Sequence, residues 1–227
     1  MRPSTLPRPT GCNPLHFTAM TALLVLLSLA YLGNLAMSWA NVAASADPRT
    51  TDRRPVQVSA GRHELLIPAN MIPRPEQRIQ GQRSERLALE MSWPQLEGFS
   101  GDTQAAEVWI SVDLIATRSV ATLSERLDSV YRRLATSHDT QGPAGLALLD
   151  MSGKAGSGDD VIVFEAGQPN GFIARCQTPA DGPARCFRDL RLADDLVVSY
   201  RFQRSALANW GRMDRRILDR IDGMRLN

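Results

Sequence analysis

The hydropathy pattern begins with one long apolar stretch near the amino terminus. No Asp, Glu, Lys or Arg occurs between Pro9 and Ala46, and the central part, residues 17–39, contains 23 residues. At 1.5 Å per residue, a helix of this length extends about 35 Å, which exceeds the roughly 30 Å of hydrocarbon in a bilayer. The pattern therefore predicts a transmembrane signal-anchor helix over 17–39, preceded by a short cytosolic amino terminus over 1–16.

The same stretch has a second interpretation as a cleavable signal peptide. Ala44-Ser45-Ala46 has the A-x-A form of a cleavage site. A signal peptide usually carries an apolar core of about 7–15 residues, which is shorter than the stretch found here. The length favours an uncleaved anchor, and cleavage after Ala46 stays open as the alternative.

Downstream of the apolar stretch, the chain shows alternating patterns typical of strands. Residues 40–61 are polar and predict a linker, and 62–227 predict one domain. A short strand is expected from His63, and apolar residues alternate with polar ones in Arg86–Trp93 and again in 107–117. Five further extended runs follow, separated by turn residues, at 146–151, 160–166, 171–178, 184–192 and 196–203.

Two helices complete the pattern. Thr122 and Glu125 have the spacing of a capping box ahead of apolar residues at helical spacing, and a second amphipathic helix is expected after Ser205. Short connections between the strands favour antiparallel neighbours. The expected fold class is α+β, with a transmembrane helix followed by a curved antiparallel sheet of about eight strands and two helices packed on one face.

Two of the three cysteines lie in a hairpin pattern. Cys176 and Cys186 are equally distant from the turn residues of 179–183, which would place them opposite each other on paired strands. Opposite residues in a non-hydrogen-bonded antiparallel pair lie about 4.5 Å apart at Cα, within the range that a disulfide accepts. We therefore expect a disulfide between them, the alternative being two reduced, buried thiols.

The disulfide decides the expected location, since the basic residues that flank the apolar stretch do not. Arg2 and Arg8 precede it and three arginines follow it, so the positive-inside rule gives nearly a tie. Disulfides persist in oxidising compartments. The expectation is a single-pass protein of the inner (cell) membrane whose carboxyl-terminal domain is periplasmic.

Charge and motifs exclude several classes of function. The net charge is +2, and acidic residues are interspersed with the arginines, which does not indicate nucleic-acid binding. The histidines lack a second ligand at metal spacing, and the surroundings of Ser157 fit neither a phosphate-binding loop nor a nucleophile elbow. No catalytic motif, metal site or cofactor is predicted, and Asp159-Asp160 and Asp194-Asp195 are interpreted as turn residues rather than cation ligands.

Three hypotheses about function follow from the sequence. The first is a non-catalytic interaction or assembly module, held near a membrane complex by its anchor, with a protein partner of unknown identity. The second is a periplasmic ligand-sensing domain with a pocket between sheet and helices. The third is a cell-envelope enzyme whose acids, for instance Asp113, Asp150 and Glu165, would converge from different strands.

Overall fold

The computed structural model describes residues 14–44, 48–101, 108–136, 138–151, 160–168, 171–179 and 182–226. The chain divides into two compact units, residues 1–47 and 48–227. The first unit contains helix α1, Pro14–Ala44, whose described side chains are exposed. Its segment His16–Met37 is long and apolar enough to cross a membrane, by length and composition.

The second unit begins with a small sheet of three strands. They are β1 Pro55–Ala60, β2 His63–Pro68 and β3 Gln82–Ser84, in the order β2-β1-β3. Strand β1 pairs antiparallel with β2 and parallel with β3. This strand corrects the interpretation of residues 40–61 as a linker: Val56, Val58 and Ala60 alternate with polar residues, and Val58 and Ala60 are buried.

The main sheet has eight strands and is open. They are β4 Arg86–Trp93, β5 Val108–Ala116, β6 Thr140–Gln141, β7 Ala147–Asp150, β8 Val161–Phe164, β9 Ile173–Gln177, β10 Arg185–Ala193 and β11 Leu196–Gln203. Their order is β4-β5-β11-β10-β9-β8-β7-β6, and every pair is antiparallel. This arrangement confirms the α+β class and the antiparallel sheet expected from the sequence.

Helical segments occur after β5 and after β11. The first, called the composite helix, joins α2 Leu123–Arg126, a π-helical turn Leu127–Tyr131 and α3 Arg132–Leu134. It begins with the predicted capping box, in which the Thr122 N–H donates to the Glu125 carboxylate at 2.7 Å. The second is α4, Trp210–Asp222, preceded by a 3-10 turn, Arg204–Asn209.

The two helical segments pack on opposite faces of the main sheet. In β8, Val161 and Val163 belong to the larger hydrophobic cluster, which includes α4, whereas Ile162 and Phe164 belong to a smaller cluster with the composite helix. We call the α4 side the inner face and the other side the outer face. The expectation from the sequence that both helices pack on one face was therefore wrong. An apolar stripe shows that one side of a helix is buried, but it does not show which face of the sheet the helix covers.

Candidate functional site

The predicted cysteine hairpin lies in the middle of the main sheet. Cys176 of β9 is directly opposite Cys186 of β10, with their Cα atoms 4.0 Å apart, and a disulfide bond joins them. Both residues are buried on the inner face. Because β9 and β10 each have neighbours on both sides, the hairpin lies in the interior of the sheet and not at an edge.

The arginines of this hairpin are largely committed to contacts within the domain. Arg175 donates to the buried carboxylate of Asp160 at 2.9 Å, and Arg191 donates to the Val120 carbonyl oxygen at 2.8 Å. Arg185 is exposed. These contacts give Arg175 and Arg191 a structural role within the domain.

The fourth arginine of the hairpin, Arg188, belongs to a polar network under α4. Its guanidinium binds both carboxylate oxygens of Asp214, at 2.9 and 3.1 Å, and lies 4.7 Å from the centre of the Phe172 ring. The hydroxyl of Tyr200 donates to the same carboxylate at 2.5 Å. Burial, followed by the charge of Asp214, raises the pKa of Tyr200 well above its ordinary value. The network links the sheet to α4 from inside the core.

The acids proposed for an enzyme do not converge. Asp113 lies on β5 and Asp150 ends β7, and four strands stand between β5 and β7 in the sheet. At about 4.8 Å per strand, this separation is roughly 24 Å. Glu165 follows β8, the neighbour of β7, and is therefore also remote from Asp113. The geometry therefore excludes a catalytic site formed by these three carboxylates together.

Other motifs from the sequence have local roles where the structure describes them. His63 contacts Asp195 at 2.9 Å, and this hydrogen bond, aided by Arg62, lowers the pKa of the Asp195 carboxyl. Among the described residues, no group of three His, Cys, Asp or Glu side chains could hold a metal ion. Ser157 and Asp159 lie outside the described residues.

The outer face holds an open polar groove. Its floor is formed by β4, β5 and β11, where rows of directly opposite residues cross the sheet. One row joins Glu90, Ser111 and Arg201, and the next joins Ala88, Asp113 and Ser199. The groove has a volume of about 650 Å³. We call it the outer groove and define it by its charged lining residues: Arg74, Glu76, Arg86, Glu90, Asp113 and Arg201.

Asp113 organises the floor of the outer groove. Its two carboxylate oxygens contact different arginines, Oδ1 with Arg86 Nε at 3.5 Å and Oδ2 with Arg201 Nη1 at 3.2 Å. The Asp113 side chain is only 12% exposed, whereas the side chains of Arg86 and Arg201 are 52% and 50% exposed. One shielded acid therefore fixes two arginines that still face solvent.

The proline-containing stretch before β3 forms one wall of the groove. Within it, residues 67–75 contain three prolines, which restrict the backbone. Met71 and Ile72 are fully buried, and the Gln77 side chain binds the backbone of β4 at Arg86 and Ala88, so the stretch covers the edge of the main sheet. Pro73, Arg74 and Pro75 nevertheless line the groove.

A buried acid also lies where the outer face meets the composite helix. Asp189 of β10 accepts a hydrogen bond from the Leu123 N–H at 2.7 Å, at the first turn of α2, and lies 3.8 Å from Arg126. Burial raises the pKa of Asp189 despite these favourable contacts. Ser199, directly opposite Asp189, has a buried hydroxyl without a hydrogen-bond partner among the described residues.

Sequence reasoning did not identify the outer groove. The alternation in β4 and β5 places Arg86, Glu90, Ser111 and Asp113 together on the polar face, and this alternation was interpreted only as typical of strands. The sequence signal that could have indicated the groove was a strand pattern with acidic and basic residues on its polar side. Arg201 comes from a strand about 90 residues later in the chain, and only the β5–β11 pairing brings it beside Asp113.

Comparisons with known proteins give one structural likeness. No protein-family model matches the chain, and no curated protein matches it. Among solved structures, the chain is similar to Smlt3025, an immunity protein of the Stenotrophomonas maltophilia type IV secretion system. The likeness covers 77% of this chain and 94% of that chain, with a TM-score of 0.54 and 16% sequence identity. At this level of identity, the two proteins share a fold.

Proposed function

We propose that this protein is a membrane-anchored immunity protein. Its domain at residues 48–227 would face the periplasm, bind a protein toxin delivered by a secretion system and block it, without catalysing a reaction. The single observation that carries this proposal is the fold shared with Smlt3025, which extends over 94% of that chain.

The internal chemistry of the domain supports a binding role. Of the carboxylates considered for catalysis, Asp113 is separated from Asp150 and Glu165 by several strands. The buried ionic groups, such as Arg188 with Asp214, are held by partners within the domain. Six charged residues, by contrast, line an open groove on the outer face. A surface of this kind suits recognition of another macromolecule, in which charged groups contribute specificity and association rate.

Two features support the proposed location. His16–Met37 has the length and composition of a membrane span, and the Cys176–Cys186 disulfide fits an oxidising compartment. An anchor would hold the domain at the membrane that an incoming toxin has to reach or cross. Confinement to this surface raises the effective concentration of the domain, so that a modest affinity is sufficient for protection.

Growth competition between sister cells tests the proposal. A strain of the source bacterium that lacks the gene would be mixed with the parent strain as attacker, and its survival counted. We expect survival to fall at least about tenfold, and to recover when the gene is restored. An attacker without a functional secretion system is the control and should leave the deletion strain unharmed. Equal survival of deletion and parent strains against every competent attacker would contradict the proposal.

A further inference from the structure

We propose that the outer groove binds one acidic side chain of the partner protein, with its carboxylate held between Arg86 and Arg201. The inference rests on the proposed function, since it assigns the surface through which the immunity protein binds its partner. The occupant is a loop or extended segment that carries a single Asp or Glu flanked by neutral or basic residues.

The charge balance on the floor of the groove favours an anion at this point. Two guanidinium groups converge on one carboxylate, which leaves the Arg86–Asp113–Arg201 triad with a net charge of +1. Each guanidinium has five N–H donors in a fixed fork, and each has one ion pair with Asp113. The unused donors can bind a second carboxylate, the group whose geometry matches the guanidinium fork.

Burial of Asp113 prepares the site before the partner arrives. Its side chain is 12% exposed and lies between β4 and β11, so the two arginines contact a fixed acceptor rather than a mobile surface acid. The ring of Phe187 lies 5.8 Å from the guanidinium carbon of Arg201 and further restricts that side chain. Restricted arginines lose less conformational entropy on binding than freely rotating ones.

The remaining charges of the groove restrict the occupant. Glu76 and Glu90 line the same groove, and no ion pair to either is seen in the described part of the chain. A segment acidic along its whole length would be repelled by them, whereas one with a basic residue beside the acid would be attracted. Pro73 and Pro75 form a wall whose backbone conformation is restricted, so its shape changes little on binding.

Neutralising the two arginines is the direct test. The full-length double variant Arg86→Gln with Arg201→Gln would be expressed in the deletion strain and challenged as above. The matched control is Arg212→Gln with Arg215→Gln, which removes the same charge from two exposed positions of α4. We expect the groove variant to lose protection at least about tenfold and the control to retain it. Immunoblots and thermal unfolding would establish that both variants are folded and equally abundant.

A conservative variant separates recognition from folding. Arg86→Lys with Arg201→Lys keeps the charge but replaces the fork, and intermediate protection is expected. Full protection by the glutamine variant overturns the inference, while the proposed function stands if the deletion strain remains sensitive. If the deletion strain is not sensitive to any competent attacker, the proposed function fails. Crosslinking then tests independently whether the outer groove binds an acidic side chain.

Crosslinking identifies the occupant directly. Benzoylphenylalanine would be introduced at Ser111, on the groove floor, and at Arg212 as the control position, in the full-length protein in cells exposed to attackers. We expect an adduct at position 111 whose mapped partner peptide has an Asp or Glu within two residues of the attachment point. An adduct formed only at position 212, no adduct at either position, or a mapped peptide without an acid overturns the inference.

Discussion

Asp214 is the residue on which the polar network under α4 depends. It accepts hydrogen bonds from Arg188 and Tyr200, and the Arg188 side chain is only 5% exposed. Removing the acid leaves a buried, unpaired guanidinium, which typically costs about 3–5 kcal/mol. We predict that Asp214→Ala lowers the free energy of unfolding by about this amount, measured by urea denaturation.

A surface ion pair on the same helix provides the control. Asp222 contacts Arg225 at 3.2 Å, and its side chain is 76% exposed. Pairs of this kind contribute about 0–1 kcal/mol, so Asp222→Ala should change the unfolding free energy very little. Equal effects of Asp214→Ala and Asp222→Ala would show that the network under α4 does not hold the helix on the sheet.

Tyr200 should make stability depend on pH in the alkaline range. Its pKa is raised in the folded state, so the folded protein retains the phenolic proton more strongly than the unfolded chain does. The resulting stability is fully present below the ordinary pKa of about 10 and is lost as pH rises towards the folded pKa. We predict that the urea midpoint falls above pH 10, and that Tyr200→Phe makes this fall shallower. Because burial also raises the pKa of Tyr131, part of the fall should persist. An unchanged slope would contradict the prediction.

At the scale of elements, the cysteine hairpin joins two interior strands. A cross-link between residues separated by 10 positions lowers the conformational entropy of the unfolded chain. In the loop-entropy model, this effect stabilises the folded domain by about 3 kcal/mol. We predict that Cys176→Ala with Cys186→Ala destabilises the domain by about 2–3 kcal/mol in chemical denaturation. Mass spectrometry after alkylation of native cells, without reductant, should find both thiols protected. Free thiols at both positions would contradict the periplasmic location and leave the hairpin geometry intact.

Two strands of the main sheet were predictable from the sequence, and their bounds agree with the expected ones. Arg86–Trp93 forms a strand over the expected residues because apolar and polar positions alternate along it. Leu196–Gln203 does so because turn residues precede it. Val161–Phe164 is buried on both faces. Its continuous apolar run is typical of a strand that is covered on both sides, and this signal was not used when both helices were expected on one face. Strand β1 was missed because its polar alternate residues resemble a linker.

Only part of the candidate site could be predicted. The capping box at Thr122 and the facing positions of Cys176 and Cys186 depend on short spacings, which a sequence displays directly. The outer groove depends on strands distant in the chain, and the triad exists only because β11 inserts beside β5. Pairing between distant strands follows from the whole fold, so the polar faces of β5 and β11 could not be matched beforehand.

At the scale of the whole molecule, the flanking charges leave the orientation weakly determined. Arginines lie on both sides of the apolar helix, so orientation depends on small differences in their number and distance from it. A disulfide in the carboxyl-terminal unit favours the orientation that places this unit outside the cytoplasm, because the cytoplasm keeps thiols reduced. The proposed function requires the same orientation, since a toxin that arrives from a neighbouring cell would be met outside the cytoplasm.

Reporter fusions test this orientation. Alkaline phosphatase, which folds only where disulfides form, should be active when fused after Asn227, whereas a fluorescent protein that matures only in the cytoplasm should be dark there. The control fusions, placed after Leu15 and so before the apolar segment His16–Met37, should give the reverse result. Fractionation distinguishes the two interpretations of the leader, because an uncleaved anchor keeps the fusion in the membrane fraction, whereas cleavage after Ala46 releases a shorter soluble product. A bright cytoplasmic reporter after Asn227 would contradict both interpretations, because each one delivers the domain across the membrane.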